Sequence, residues 1–77
     1  MEPVGVDCIF REDGRIEVRR VAVDGRWLAV EQGRQWVDHL GRHVLVMLPG
    51  GEAREIVLQP ATMTWVLRPV GRGVHVV

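Results

Sequence analysis

Apolar residues recur at every second position from Val4 through Val6 and Cys8 to Phe10, with Gly5, Asp7 and Ile9 between them. Successive side chains of a strand point to opposite faces, so this is the period of a strand with one buried face. Glu12-Asp13-Gly14 supplies a turn, after which Ile16 and Val18 alternate with Arg15, Glu17 and Arg19. The phase then slips by one at Arg20-Val21 before Val23, which predicts a β-bulge near Arg20. Asp24-Gly25 tolerates the positive φ angles of a type I′ turn and stands between strand-like residues, predicting a hairpin of strands 15–23 and 26–31.

Within 33–41, Trp36, Val37 and Leu40 share a helical face, although a helix of that length is marginal alone. A loop with at most one short helical turn near 34–40 is expected there. His43 to Leu48 reads as a strand buried on both sides, and Pro49-Gly50-Gly51-Glu52 as a turn into a strand over 54–59. Pro60-Ala61-Thr62 breaks that strand before another over 63–67. Residues 70–77 read as a flexible tail or an edge strand. The expected fold is all-β: one domain over 1–77, six antiparallel strands curled into an SH3-like or OB-like open barrel.

Seventy-seven residues leave room for a single core, because a chain of this size hides only about 60% of its unfolded surface. Ten basic residues, all Arg, balance ten acidic ones, so there is no global field to draw in polyanions or anionic membranes. Lys, Ser, Asn and Tyr are absent, a bias that fits a GC-rich bacterial genome and removes serine nucleophiles and Schiff-base lysines. The lone Cys8 has no partner for an internal disulfide, and Met1-Glu2-Pro3-Val4 lacks a signal-peptide pattern, so a cytoplasmic location is expected. The apolar run from Val44 to Pro49 is too short to cross a bilayer.

His39 and His43, four apart beside Asp38, would share a helical face as metal ligands, but Gly41 and the strand from His43 spoil that geometry. They read as solvated loop histidines, and neither a metal nor a cofactor is expected. Glu12-Asp13 and Glu52 with Glu55 fall in or beside turns, where carboxylates are solvated rather than tuned for acid-base work. Gly50-Gly51 and Gly71-Arg72-Gly73 do not follow a strand and open a helix, so they are turns and not phosphate loops. Cys8 reads as a small buried hydrophobe, and Trp27 and Trp65 as core. Trp36 is either a lid over one barrel end or an exposed stacking platform flanked by Arg34, His39 and Arg42. The arginines at 15, 19, 20, 26 and 34 lie among Glu17 and Glu31, and pairing on a solvent-facing sheet accounts for them.

Asp24-Gly25-Arg26-Trp27-Leu28-Ala29-Val30, Trp36, Arg42-His43-Val44-Leu45-Val46 with Gly51, and the close Ala61-Thr62-Met63-Thr64-Trp65-Val66-Leu67 follow one another in that order. Together they resemble a small bacterial β-domain family that occurs alone and at the C-terminus of translesion-polymerase-like mutagenesis proteins. The chain departs from that pattern at Val44 and Leu45, where the family usually carries aromatic residues. The resemblance implies a DNA-repair context and no particular activity.

No nucleophile, base and orienting group assemble from these residues, so an enzyme and a small-molecule substrate are not expected. With 47% of residues hydrophobic in so small a chain, some apolar surface is left to share. The leading expectation is a non-enzymatic module for a protein partner or for self-association as a homodimer, through an edge strand or the 33–42 segment. The alternative is a small barrel binding single-stranded nucleic acid through Arg34, Trp36, His39 and Arg42.

Overall fold

Alternation along the chain becomes seven antiparallel strands in the computed structural model, which describes residues 2–69. They are β1 (Glu2–Phe10), β2 (Ile16–Val23), β3 (Arg26–Ala29), β4 (Glu31–Asp38), β5 (Gly41–Met47), β6 (Ala53–Gln59) and β7 (Thr64–Pro69). They form one sheet in the order β3-β2-β1-β7-β6-β5-β4. The all-β expectation holds, with two corrections: there are seven strands rather than six, and 34–40 contains no helical turn because it belongs to β4 and the turn after it. Among the described residues no helix is long and apolar enough to cross a membrane. The expected tail or edge strand at 70–77 lies outside the described residues.

Local chemistry sets the connections. Asp24 and Gly25 take φ of 52° and 77°, the two positive angles of a type I′ turn, and leave Val23 directly opposite Arg26. In β2 the register passes from Cys8↔Val18 to Asp7↔Arg20, so Arg19 is the extra residue of a bulge, where the phase slip predicted one. That bulge lets Ile16, Val18 and Val21 all face the core.

Ile16, Val18, Val21, Val44, Val46, Leu48, Ile56 and Leu67 fill the concave side, with Val4, Val6, Cys8, Leu58 and Trp65 packed against them. Trp65 thus joins the core as expected. Trp27 does not: it lies on the outer face, 52% exposed, with its ring over Gly5 and the Arg20 guanidinium 5.2 Å from its centroid. Trp27 sits opposite Ala22, which sits opposite Gly5, and this whole row alternates with the inward valines.

The sheet curls until β2 meets β4, which is not its neighbour in the ladder. β3 covers only Arg20 to Val23 of β2, leaving the edge at Ile16 and Val18 without a strand. Two glutamines of β4 fill the gap. Gln32 Oε1 accepts from the Val18 amide at 2.7 Å, and Gln35 Oε1 accepts from the Ile16 amide at 3.0 Å. Both side-chain amides donate to the Ile16 carbonyl at 2.8 Å. They reach it because β4 carries its own bulge: Gln32 opposes Val46 and Gln35 opposes Val44, so the extra residue falls at Gly33-Arg34 and both glutamines face inward. Side-chain amides here do the work of a missing ladder, satisfying backbone groups that are costly to bury alone.

Candidate functional site

The convex side of β4, β5 and β6 carries an unusual set of side chains. His43 is opposite Trp36 on β4 and Val57 on β6, and Val57 is opposite Val66 on β7. Directly opposed residues share a face. This row alternates with the core residues Val44, Ile56 and Leu67; the outward side of β5 is buried at His43, half-buried at Leu45 and exposed at Met47, so the expected two-sided burial holds at His43 and fails toward Met47.

His43 is 2% exposed and therefore not the solvated loop histidine expected from sequence. Its Nδ1 lies 2.5 Å from Glu55 Oε2 and its Nε2 lies 2.7 Å from Asp38 Oδ1. Both ring nitrogens are thus held by carboxylates, one from β6 and one from the end of β4. Glu55 is 7% exposed, which corrects the expectation of a solvated turn carboxylate. Its Oε2 also faces Arg68 Nη1 at 3.5 Å, so this carboxyl lies between the imidazole and a guanidinium. Asp38, at the rim, has its carboxyl held below the usual range, first by the hydrogen bond from His43. Burial opposes that shift in part, and the Leu40 amide, 2.9 Å from Oδ1, adds to it.

Trp36 rests on this base. Its ring stacks on the His43 imidazole with centroids 5.0 Å apart and planes 6° from parallel. The Arg34 guanidinium carbon lies 5.1 Å from the same indole centroid. Trp36 is half-buried on the outer face of the sheet, neither a lid over a barrel end nor a bare platform.

Of the four binding residues read from sequence, Arg34 and Trp36 stand together, and His39 is exposed in the β4–β5 turn. Arg42 points elsewhere. Its Nη1 donates to the Gly14 carbonyl at 2.8 Å and to Gln35 Oε1 at 3.1 Å, tying the β1–β2 turn to the seam. Missing from the sequence-based set are Asp38, His43, Glu55 and Arg68. One trace of them was readable, a histidine opening an otherwise apolar strand.

With both ring nitrogens engaged, His43 offers no lone pair to a metal or a substrate. Among the described residues no group of three or more His, Cys, Asp or Glu is arranged to hold a metal ion. What the cluster does chemically is fix a ring. The imidazole is pinned at both nitrogens, and the indole lies flat on it. No protein-family profile, no curated protein and no solved structure matches this chain.

Proposed function

We propose that this domain is a non-enzymatic protein-interaction module whose contact point is the Arg34–Trp36 pair. The observation that carries the reading is a half-exposed tryptophan held in one orientation by a doubly pinned histidine. Ordering a side chain on binding costs about 0.5–1.5 kcal/mol, and a ring already held in place avoids most of that cost. Trp and Arg are also the residues that dominate binding hot spots.

Affinity capture from the native lysate tests it, with the full chain and its Trp36→Ala and Arg34→Ala variants as paired baits. A protein retained by the wild type and lost by both variants is the expected result. Identical capture by all three would overturn the reading. Quenching of Trp36 emission by short single-stranded DNA or RNA, weakening as salt rises, would move the assignment to the nucleic-acid-binding barrel. For that experiment Trp27 and Trp65 are replaced by Phe, so that one emitter remains.

A further inference from the structure

β1 is longer than the strand beside it. Its pairing with β7 covers Glu2, Pro3 and Val4, while its pairing with β2 runs from Gly5 to Phe10. Gly5, Val6, Asp7, Cys8, Ile9 and Phe10 therefore have a strand on one side only, among the described residues. Proteins usually blunt such an edge with Lys, Pro or an inward-pointing charge. This one has none of them. Val6 and Cys8 face the core, Phe10 is 58% exposed, and the one charge, Asp7, is bound on the outer face by Arg20 at 2.9 Å.

We infer that this edge pairs with the same edge of a second copy of the chain, antiparallel about a two-fold axis through Cys8. Such an axis, normal to the sheet, gives antiparallel strands and keeps the inner faces of the two copies continuous. Opposed residues share a face, so inner residues must oppose inner ones, and the axis must pass through a residue rather than between two. An axis at Asp7 sets the two Asp7 carboxylates against each other. An axis at Ile9 leaves Val6 and Asp7 opposite the turn residues that follow Phe10. Only the axis at Cys8 pairs Val6 through Phe10 among themselves, Val6 against Phe10, Asp7 against Ile9 and Cys8 against Cys8, and leaves only Gly5 opposite a turn residue, Arg11. Each exposed Phe10 then packs on a Val6, and no like charges are opposed. The formal net charge of +0 adds no long-range repulsion between copies. This surface is separate from the Arg34–Trp36 pair and does not depend on it.

Sedimentation equilibrium on the full chain over a wide concentration range tests the pairing. A concentration-dependent rise to twice the monomer mass is expected, and a monomer throughout overturns the inference. Directly opposed strand residues have Cα atoms about 4.5–5.5 Å apart, within the span of a disulfide. Copper-phenanthroline oxidation is therefore expected to trap a Cys8–Cys8 dimer, and Cys8→Ala to dimerise without being trapped. The register has its own readout. Ile9→Glu faces Asp7 of the other copy at two symmetric positions and should weaken the dimer about tenfold, while Ile9→Arg should leave it at least as tight. A dimer that is not trapped through Cys8, or that treats the two charges alike, uses another surface and overturns the inference. Trp36→Ala should leave the dimer intact, and its loss would assign self-association to the Arg34–Trp36 face instead.

Discussion

Replacing the seam glutamines one at a time and together tests whether side-chain amides close this sheet. Leucine is close to glutamine in shape but neither donates nor accepts, and it keeps water from the backbone groups it strands. Gln32→Leu leaves the Val18 amide without its acceptor, in a residue only 4% exposed. A buried unsatisfied donor costs about 1–3 kcal/mol, so that is the expected loss. Gln35→Leu strands the Ile16 amide in the same way, in a residue 2% exposed, and releases Arg42 from Oε1.

The double variant adds a third loss that neither single shows. The Ile16 carbonyl accepts from both amides, so each single replacement leaves it one donor and the pair leaves it none. Destabilisation by the pair should exceed the sum of the singles by about 1 kcal/mol. Urea unfolding followed by tryptophan emission reads this out, with an m-value of about 1 kcal/mol/M turning each single into a midpoint shift of about 1–3 M. A domain this small rarely holds more than about 3–5 kcal/mol, so all four members of the cycle are measured in the same concentration of trimethylamine oxide to keep a folded baseline. Additivity within about 0.3–0.5 kcal/mol would show that the two glutamines do not share the Ile16 carbonyl. Singles that cost less than that would show that the seam is not where the fold is held.

Other consequences are checked by equally direct measurements. A Cβ at Gly41 would run into the Leu58 carbonyl oxygen, at a backbone φ of 139° that L side chains rarely adopt. Gly41→Ala should cost about 3 kcal/mol or more, lowering the calorimetric midpoint by about 12–24 °C. Gly25→Ala, also at positive φ (77°) but with nothing within 4 Å, should cost only the backbone strain of about 1 kcal/mol. Asp38 is depressed from an ordinary value of 3.8, so its contribution is complete above that value and is lost as pH falls through the lower folded value. Wild-type stability should therefore drop on acidification below about pH 4 more steeply than that of Asp38→Asn, as read by urea titrations at stepped pH. Burial, and then the Asp7 carboxylate, push the Cys8 thiol above its usual range. Ellman's reagent at neutral pH should accordingly react with Cys8 more slowly in the folded chain than in urea.

What could be read from the chain was what is local. The Asp24-Gly25 hairpin depends on two residues that accept positive φ, and the β2 bulge shows as a one-residue slip in an otherwise regular alternation. The inner face of β5 follows from Val44 and Val46 in the apolar run, whereas its outward side is buried by His43 and not by Leu45 or Met47. Apolar character and strand context put Trp27 in the core because they do not say which face a residue takes. Its parity with Ala22 and Gly5 does, once the register is known. His43 and Glu55 are twelve residues apart, and they meet only when β5 and β6 pair with His43 opposite Val57 and Leu45 opposite Glu55. Nothing local marks that contact.

β4 is hidden in the sequence for a different reason. Its apolar residues Trp36 and Val37, with Leu40 beyond them, fall at helical spacing, yet Val37 and Leu40 are 63% and 46% exposed and mark no buried face. The face that β4 does bury is made by Gln32 and Gln35, polar residues three apart, a separation that puts strand positions on opposite sides unless a residue is inserted between them. Gly33-Arg34 is that insertion. The same bulge sets Gln32 and Gln35 inward on the seam and leaves Arg34 and Trp36 outward on the convex face. A slip of one residue reverses every side chain beyond it, so the closure of the sheet and the presentation of Trp36 depend on one local choice. The break in pattern that hides this strand is therefore also what couples the stability of the curled sheet to its proposed contact surface.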